Sequence, residues 1–424
     1  MNNCAISRWD DPNEINARLK ELTGQPIWEV TDEYYKDVIM KYYDEKCTAS
    51  RAVYEQSQKY IPGGVQHNLA FNKPFPMCMA KAEGAYLYDK DGNKYIDFLQ
   101  AGGPTILGSN YPVIREKVIE LLNECGPVTG LLHESEMLIA REINKHMPNV
   151  EMFRMLGSGT ESVMASLRIA RIATGNKRII KIGGAYHGWS DQMVYGLKIP
   201  GSRALLESHG IPRGAYSTTD EVRPNDLDML ERMLKRNKLL GGTAAVILEP
   251  VGPESGTRPV AHDYNKGVRE LCDKYGALMI FDEVVTGFRV ALSGAQGYFD
   301  VVPDLTIFGK IVAGGYPSAG GVGERDVIQH HIHRLFVRFD AAGDVQTQVI
   351  VTVTKRCIEH EAFRCLRCLT RNSATSIARS AATSSTSPTA STPCSPNFSG
   401  ICSDPNLSKS TNDVQNVWHN WEQE

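Results

Sequence analysis

Up to about residue 329 the chain alternates between two hydrophobic rhythms, with Gly or Pro between them. Consecutive apolar positions at 178–182, 244–248, 278–281 and 305–308 are bounded by turn residues. Strands buried on both faces read this way, so these four predict a central, largely parallel sheet. Between them lie stretches of helical period. Residues 161–174 place Val163, Leu167 and Ala170 on one face and stop at Gly175, and Tyr264–Tyr275 falls between two of the strands. Residues 84–99 (GAYLYDKDGNKYIDFL) carry two alternating runs around Lys90-Asp91-Gly92-Asn93, which predicts a hairpin. Strand and helix in alternation predict an α/β fold.

Composition narrows the class. The 424 residues carry 46 Lys+Arg against 49 Asp+Glu, so there is no basic footprint for nucleic acid. With no basic-then-apolar leader and no run of about 20 apolar residues, a soluble cytoplasmic protein with no membrane partner is expected. The ten cysteines form no regular framework, and reduced thiols are expected. Five of them, Cys357, Cys365, Cys368, Cys394 and Cys402, crowd into the last fifth, where the texture also changes. Between 370 and 411, 19 of 42 residues are Ser or Thr, a composition that cannot bury enough surface to offset chain entropy and predicts disorder. Residues 330–369 lack periodicity apart from a short apolar run at 349–353. A single CxxC at Cys365 and Cys368 is a poor zinc signal, and no metal site is expected.

Four short constellations bear on chemistry. Gly157-Ser158-Gly159-Thr160-Glu161-Ser162 follows an apolar run and opens a helix. Small residues and free N–H groups at a helix start suit a phosphate, although the same residues are ordinary helix caps. Asp282-Glu283 follows 278–281, where open α/β sheets bind ligands; a loop or capping carboxylate is the plainer alternative. Lys310 follows an apolar strand and Gly309 and precedes Ile311-Val312-Ala313. A lone lysine is ordinarily solvated, but a partly desolvated amine becomes a nucleophile able to form a Schiff base. Tyr186-His187-Gly188 offers an aromatic that either packs or stacks on a flat ligand. In this order the four match what pyridoxal phosphate requires: a lysine for its aldehyde, an acid for its pyridine nitrogen, a phosphate cradle and a stacking ring.

These residues resemble the class III pyridoxal-phosphate aminotransferases of fold type I, and among them the glutamate-1-semialdehyde 2,1-aminomutases. The resemblance runs from about 60 to 328. It rests on Ile61-Pro62-Gly63-Gly64-Val65, the hairpin, MLGSGTES, GGAYHG, ILEPVG, ALMIFDEVVTGFRVALSGAQGYFDVVPDLTIFGKIVAGGYP and GGVGERDVI. It implies a mostly parallel seven-stranded sheet flanked by helices, and a homodimer that transfers an amino group from an amino acid or amine. Lys310 would hold the cofactor as a Schiff base and move the substrate proton. Asp282 would pair with the pyridinium, Val284 and Tyr186 would flank the ring, and Ser158, Gly159 and Thr160 would hold the phosphate. Glu249, His187 and Glu283 match positions beside the site.

Two departures stand out. Gln66-His67-Asn68-Leu69-Ala70-Phe71 lacks the arginine with which the aminomutases read a substrate carboxylate. From about 330 nothing matches, which suggests a tail that is out of frame or aberrant and a C-terminal small domain that is incomplete. The chain then divides into a helical extension (1–59), a small-domain segment with the hairpin (60–110), the PLP-binding large domain (111–329), an unassigned stretch (330–369) and a low-complexity tail (370–424). A second functional reading follows, a catalytically impaired PLP-binding protein. A nucleotide-binding oxidoreductase is disfavoured, because basic residues at 177–181 stand where a ribose-binding acid is needed.

Overall fold

The computed structural model describes residues 6–26, 29–125, 131–196, 209–316 and 320–324. The expectations for 330–369 and 370–424 lie outside these residues. Helix α1 (Pro12–Thr23) starts at Asp11, whose carboxylate accepts from the Asn13 N–H at 2.8 Å, with Pro12 at the first helical position. Just before it, Trp9 Nε1 donates to the Val260 carbonyl at 2.8 Å, and its ring lies 4.5 Å from that of His262. Trp9 thus fastens the segment before α1 to the body that carries the sheet.

Helix α2 (Thr48–Ser57) precedes a three-stranded antiparallel sheet of β1 (Met79–Glu83), β2 (Tyr86–Asp89) and β3 (Lys94–Ile96). The expected hairpin is β2–β3. Asp89 holds its turn by accepting from the Asp91 and Asn93 N–H groups at 3.0 and 2.8 Å. Asp91 in turn accepts from the Ala49 and Ser50 N–H groups at 2.7 and 3.0 Å, and so caps α2 from outside. The residue before α2, Cys47, provides no side-chain cap.

The large body continues through α3 (Pro112–Glu124), α4 (Glu134–His146), β4 (Met152–Leu156), α5 (Gly159–Thr174), β5 (Arg178–Ile182), β6 (Thr219–Val222), α6 (Leu227–Lys238), β7 (Thr243–Leu248), α7 (Tyr264–Tyr275), β8 (Leu278–Asp282), α8 (Gly294–Phe299), β9 (Leu305–Phe308) and β10 (Gly320–Glu324). The seven strands run in the order β4-β10-β9-β8-β7-β5-β6, and β10 alone runs against the direction of the other six. Successive side chains of a strand leave on opposite faces, and both faces are covered. Ile179, Ile247, Ile280 and Ile307 pack with Val163, Leu167 and Ala170 of α5 on one side. Ile180, Val246, Met279 and Phe281 pack with Leu230 and Leu234 of α6 and with Val268 and Cys272 of α7 on the other. Burial pushes the Cys272 thiol up to about 12, so it stays neutral in this layer.

The edge strand β6 is held by charge. Asp220 accepts from Arg178 Nε and Nη2 at 2.9 and 2.8 Å, from Arg236 Nη2 at 2.6 Å and from Asn237 Nδ2 at 2.8 Å. Because the remaining strands are parallel, the carboxyl ends of β4, β5, β7, β8 and β9 open on one edge, where such sheets bind ligands. Among the described residues no helix is long and apolar enough to cross a membrane.

Candidate active site

At that edge lies a cleft of about 880 Å³, a size that suits a small cofactor. Each strand end delivers a different group. β4 leads into Gly157 and Ser158, and Ser158 Oγ accepts from the Glu161 N–H at 3.2 Å as the N-cap of α5. Its hydroxyl hydrogen stays available to a ligand, so the capping and phosphate readings are compatible. The cradle is tight. A side chain at Gly188 (φ +83) would place Cβ 2.5 Å from Thr160 Oγ1, and one at Gly159 would meet Val284 at 3.4 Å.

β8 ends in Asp282. His187 Nδ1 lies 2.7 Å from its Oδ2, and the Val284 N–H donates to its Oδ1 at 3.1 Å. A carboxylate only accepts, so the histidine proton sits on Nδ1; His187 Nε2 is buried without a hydrogen-bond partner among the described residues. β7 leads to Glu249, which accepts from the main chain of Tyr186 at 2.9 Å, Glu254 at 3.2 Å and Ser255 at 2.6 Å. Burial raises its pKa, the Asp282 charge adds to that, and His187 opposes it. β9 leads through Gly309 to Lys310, whose backbone is left-handed at φ 46.

Every residue singled out for the cofactor lines this one cleft: Ser158, Gly159 and Thr160, Tyr186 and His187, Glu249, Asp282, Val284 and Lys310. Glu283 does not. One position along from Asp282 it turns away, buried, and accepts from the Ala295 and Gln296 N–H groups at 2.6 and 3.3 Å, anchoring α8. His67, from the segment that lacks the arginine, also lines the cleft, and two polar contributors escape the sequence reading, Glu254 and Ser255. The last two belong to a Pro-Glu-Ser-Gly stretch that reads as an ordinary turn. A second cleft, of about 950 Å³, lies between α1 and residues 223–228, but its lining has no lysine and no strand-end acid.

Arg289 ties the N-terminal part of the chain to the site. Its Nη2 donates to the Gly103 carbonyl and its Nε to the Val285 carbonyl at 3.0 Å. Lys310 covers the same glycine, since a Cβ on Gly103 would stand 3.3 Å from Lys310 Cδ.

Known proteins resemble this chain over a limited span. The family model for class III aminotransferases matches residues 70–334, more than half of the chain. Glutamate-1-semialdehyde 2,1-aminomutase 2 of Lachnoclostridium phytofermentans is 42% identical over 289 residues, 66% of this chain and 66% of that protein. The aminomutase of Desulforamulus reducens is 40% identical over 293 residues, 66% of this chain and 65% of that one. The chain thus spans just under two thirds of the length of these relatives. Among solved structures, an omega-transaminase from Sphaerobacter thermophilus is 31% identical with a TM-score of 0.63, covering 68% of this chain and 66% of that one. Because the family model matches more than half of its residues, the chain belongs to the class III aminotransferases.

Proposed function

We propose that this chain binds pyridoxal 5'-phosphate in the cleft and transfers an amino group of an amino acid or amine, as an aminotransferase or a glutamate-1-semialdehyde 2,1-aminomutase-like enzyme. The observation that carries the reading is the meeting of three groups in one cleft: the Lys310 amine, the Asp282 carboxylate held by His187, and the N-terminus of the 16-residue helix α5. The residues fit the cofactor. The open N–H groups of α5 and the hydroxyls of Ser158 and Thr160 suit its phosphate, and glycine at 188 leaves the room that a Cβ would fill. Asp282 suits the pyridine nitrogen, with Tyr186 and Val284 flanking the ring.

When bound, the cofactor draws electrons from the carbon that loses its proton. Lys310 Nζ would take that proton from the substrate carbon and hand it to the cofactor carbon across the shared nitrogen. His187 orients Asp282 by donating from Nδ1 across 2.7 Å. Glu249 acts at one remove, fixing the main chain on which Tyr186 stands.

The partner is a second copy of the chain, with the cytoplasm as its compartment. Large apolar side chains lie bare in the stretch before β4, Phe98 at 91%, Tyr60 at 83% and Leu132 at 72% exposure, more than an isolated soluble surface accommodates comfortably. Light scattering should return twice the chain mass.

Reconstitution with the cofactor tests the reading. The protein should gain a visible absorbance band that Lys310→Ala lacks, and a colourless wild type in excess cofactor would overturn it. Conversion of glutamate-1-semialdehyde to 5-aminolevulinate then separates aminomutase from general aminotransferase.

A further inference from the structure

Three acidic residues belong to the described lining of the cleft, Glu249, Asp282 and Glu254. Two are occupied. Glu249 receives three main-chain N–H groups, and Asp282 receives His187 and Val284. The Glu254 carboxylate is exposed and has no hydrogen bond or ion pair among the described residues.

The backbone beneath it is unusual. Glu254 and Ser255 are both left-handed, at φ 51 and φ 60. An L side chain meets its own carbonyl in that region, so two such residues in a row persist only where the surroundings hold them. Here Glu249 does so, taking the N–H of both. Glycine would adopt the same path without strain, and the turn does use glycine on either side. At Gly252 a Cβ would stand 2.2 Å from the Arg258 carbonyl oxygen, and at Gly256 one would stand 2.8 Å from Val251 Cγ1. Glycine thus stands where the backbone is crowded, whereas the strained position facing the cleft carries a charge.

The cationic side of the lining is thin. No arginine belongs to it among the described residues. Arg289 donates to the Val285 and Gly103 carbonyls, and His67 uses Nδ1 to accept from the Leu69 N–H at 3.1 Å. Among the described residues of the lining a substrate carboxylate finds no arginine fork, whereas a second ammonium group finds Glu254.

We propose that Glu254 is a specificity-determining residue that holds the distal ammonium of a diamine donor. This deepens the aminotransferase reading and rests on it. In the donor half-reaction the reacting nitrogen stays with the cofactor, which gains the two electrons. The donor carbon leaves as an aldehyde with its oxygen taken from water.

The test uses the full chain reconstituted with pyridoxal phosphate, with 1,4-diaminobutane as probe and 1-aminobutane as the control lacking the second charge. KM is read from the donor half-reaction, and Kd by calorimetry on Lys310→Ala, where no turnover occurs. Glu254→Gln should raise both constants for the diamine about fivefold while 1-aminobutane changes less than about 1.5-fold, the upper scale of one exposed ion pair. Glu254→Gly should show the same loss and fold at least as well, because it relieves the left-handed backbone. Equal changes for the two amines, or none, would overturn the inference. A wild type that acquires no visible band with the cofactor would instead overturn the aminotransferase reading, a separate observation.

Discussion

His187 and Asp282 form a buried pair in which Nδ1 and Oδ2 are 2.7 Å apart and the side chains are 0% and 5% exposed. Removing one partner of such a pair leaves the other's polarity uncompensated, at a cost of about 3–5 kcal/mol. His187→Phe should lower the urea midpoint and weaken pyridoxal phosphate binding by about tenfold or more. His187→Asn, which keeps a donor, should recover part of both. Equilibrium dialysis and urea titration on the same samples check this.

At Gly188 geometry alone makes the forecast. Alanine there would sit at φ +83 with its Cβ 2.5 Å from Thr160 Oγ1 and 2.8 Å from Thr160 Cα. Gly188→Ala should destabilise the fold by about 1–3 kcal/mol and displace the start of α5, so that cofactor uptake falls. Inorganic phosphate should compete less well with the cofactor in the variant.

Asp220 sets a pH dependence. Burial alone would raise its pKa and is the largest single influence, yet Arg178, Asn237 and Arg236 together hold it below the usual carboxylate range. A depressed folded pKa favours the ionised form. The stabilisation is therefore complete above the unfolded value of about 3.9 and is lost as pH falls through the folded value. Asp220→Asn should cost about 3 kcal/mol at pH 7. It should also flatten the loss of stability on acidification below about pH 4. Urea unfolding at both ends of that range measures it.

Glu249 shifts in the other direction, since burial raises its pKa. Its ionised form costs stability above the unfolded value near 4.3, and that cost shrinks as pH falls. Glu249→Gln removes the buried charge, but an amide nitrogen accepts nothing. Either the Tyr186 and Glu254 N–H groups or the Ser255 N–H then loses its acceptor. Exchange of the affected amide should speed up about tenfold, the equivalent of one lost hydrogen bond. Diamine discrimination by Glu254 should fall with it.

The parallel strands were legible because burial on both faces demands continuous apolar runs, as at 178–182 and 305–308. Helix α5 begins at Gly159 rather than 161, since the turn glycine and Thr160 already adopt helical angles. Strand β10, sequence GGVGE, has no rhythm to read. It exists through its antiparallel pairing with β4 and β9, and its Gly321 leaves the room that the Phe153 ring needs, 2.3 Å from where a Cβ would be. Asp282 could be assigned from its strand end, but the pleat sends Glu283 to the opposite side. Glu254 was hidden because nothing in Pro-Glu-Ser-Gly announces two left-handed residues, a conformation imposed by Glu249 through main-chain bonds. The link from Arg289 to Gly103 joins positions 186 residues apart, a separation no local pattern spans.

The capping of α2 has a consequence for how the chain can be cut. The acid that closes this helix belongs to the hairpin turn, 42 residues beyond Ala49, and Cys47 supplies no substitute. Helix and hairpin therefore open and close together, as one cooperative unit. A protein shortened by its first 59 residues would keep a turn whose central acid had lost its ligands. The extension is part of the hairpin's own stability, and an edited gene that discards it removes half of a joint.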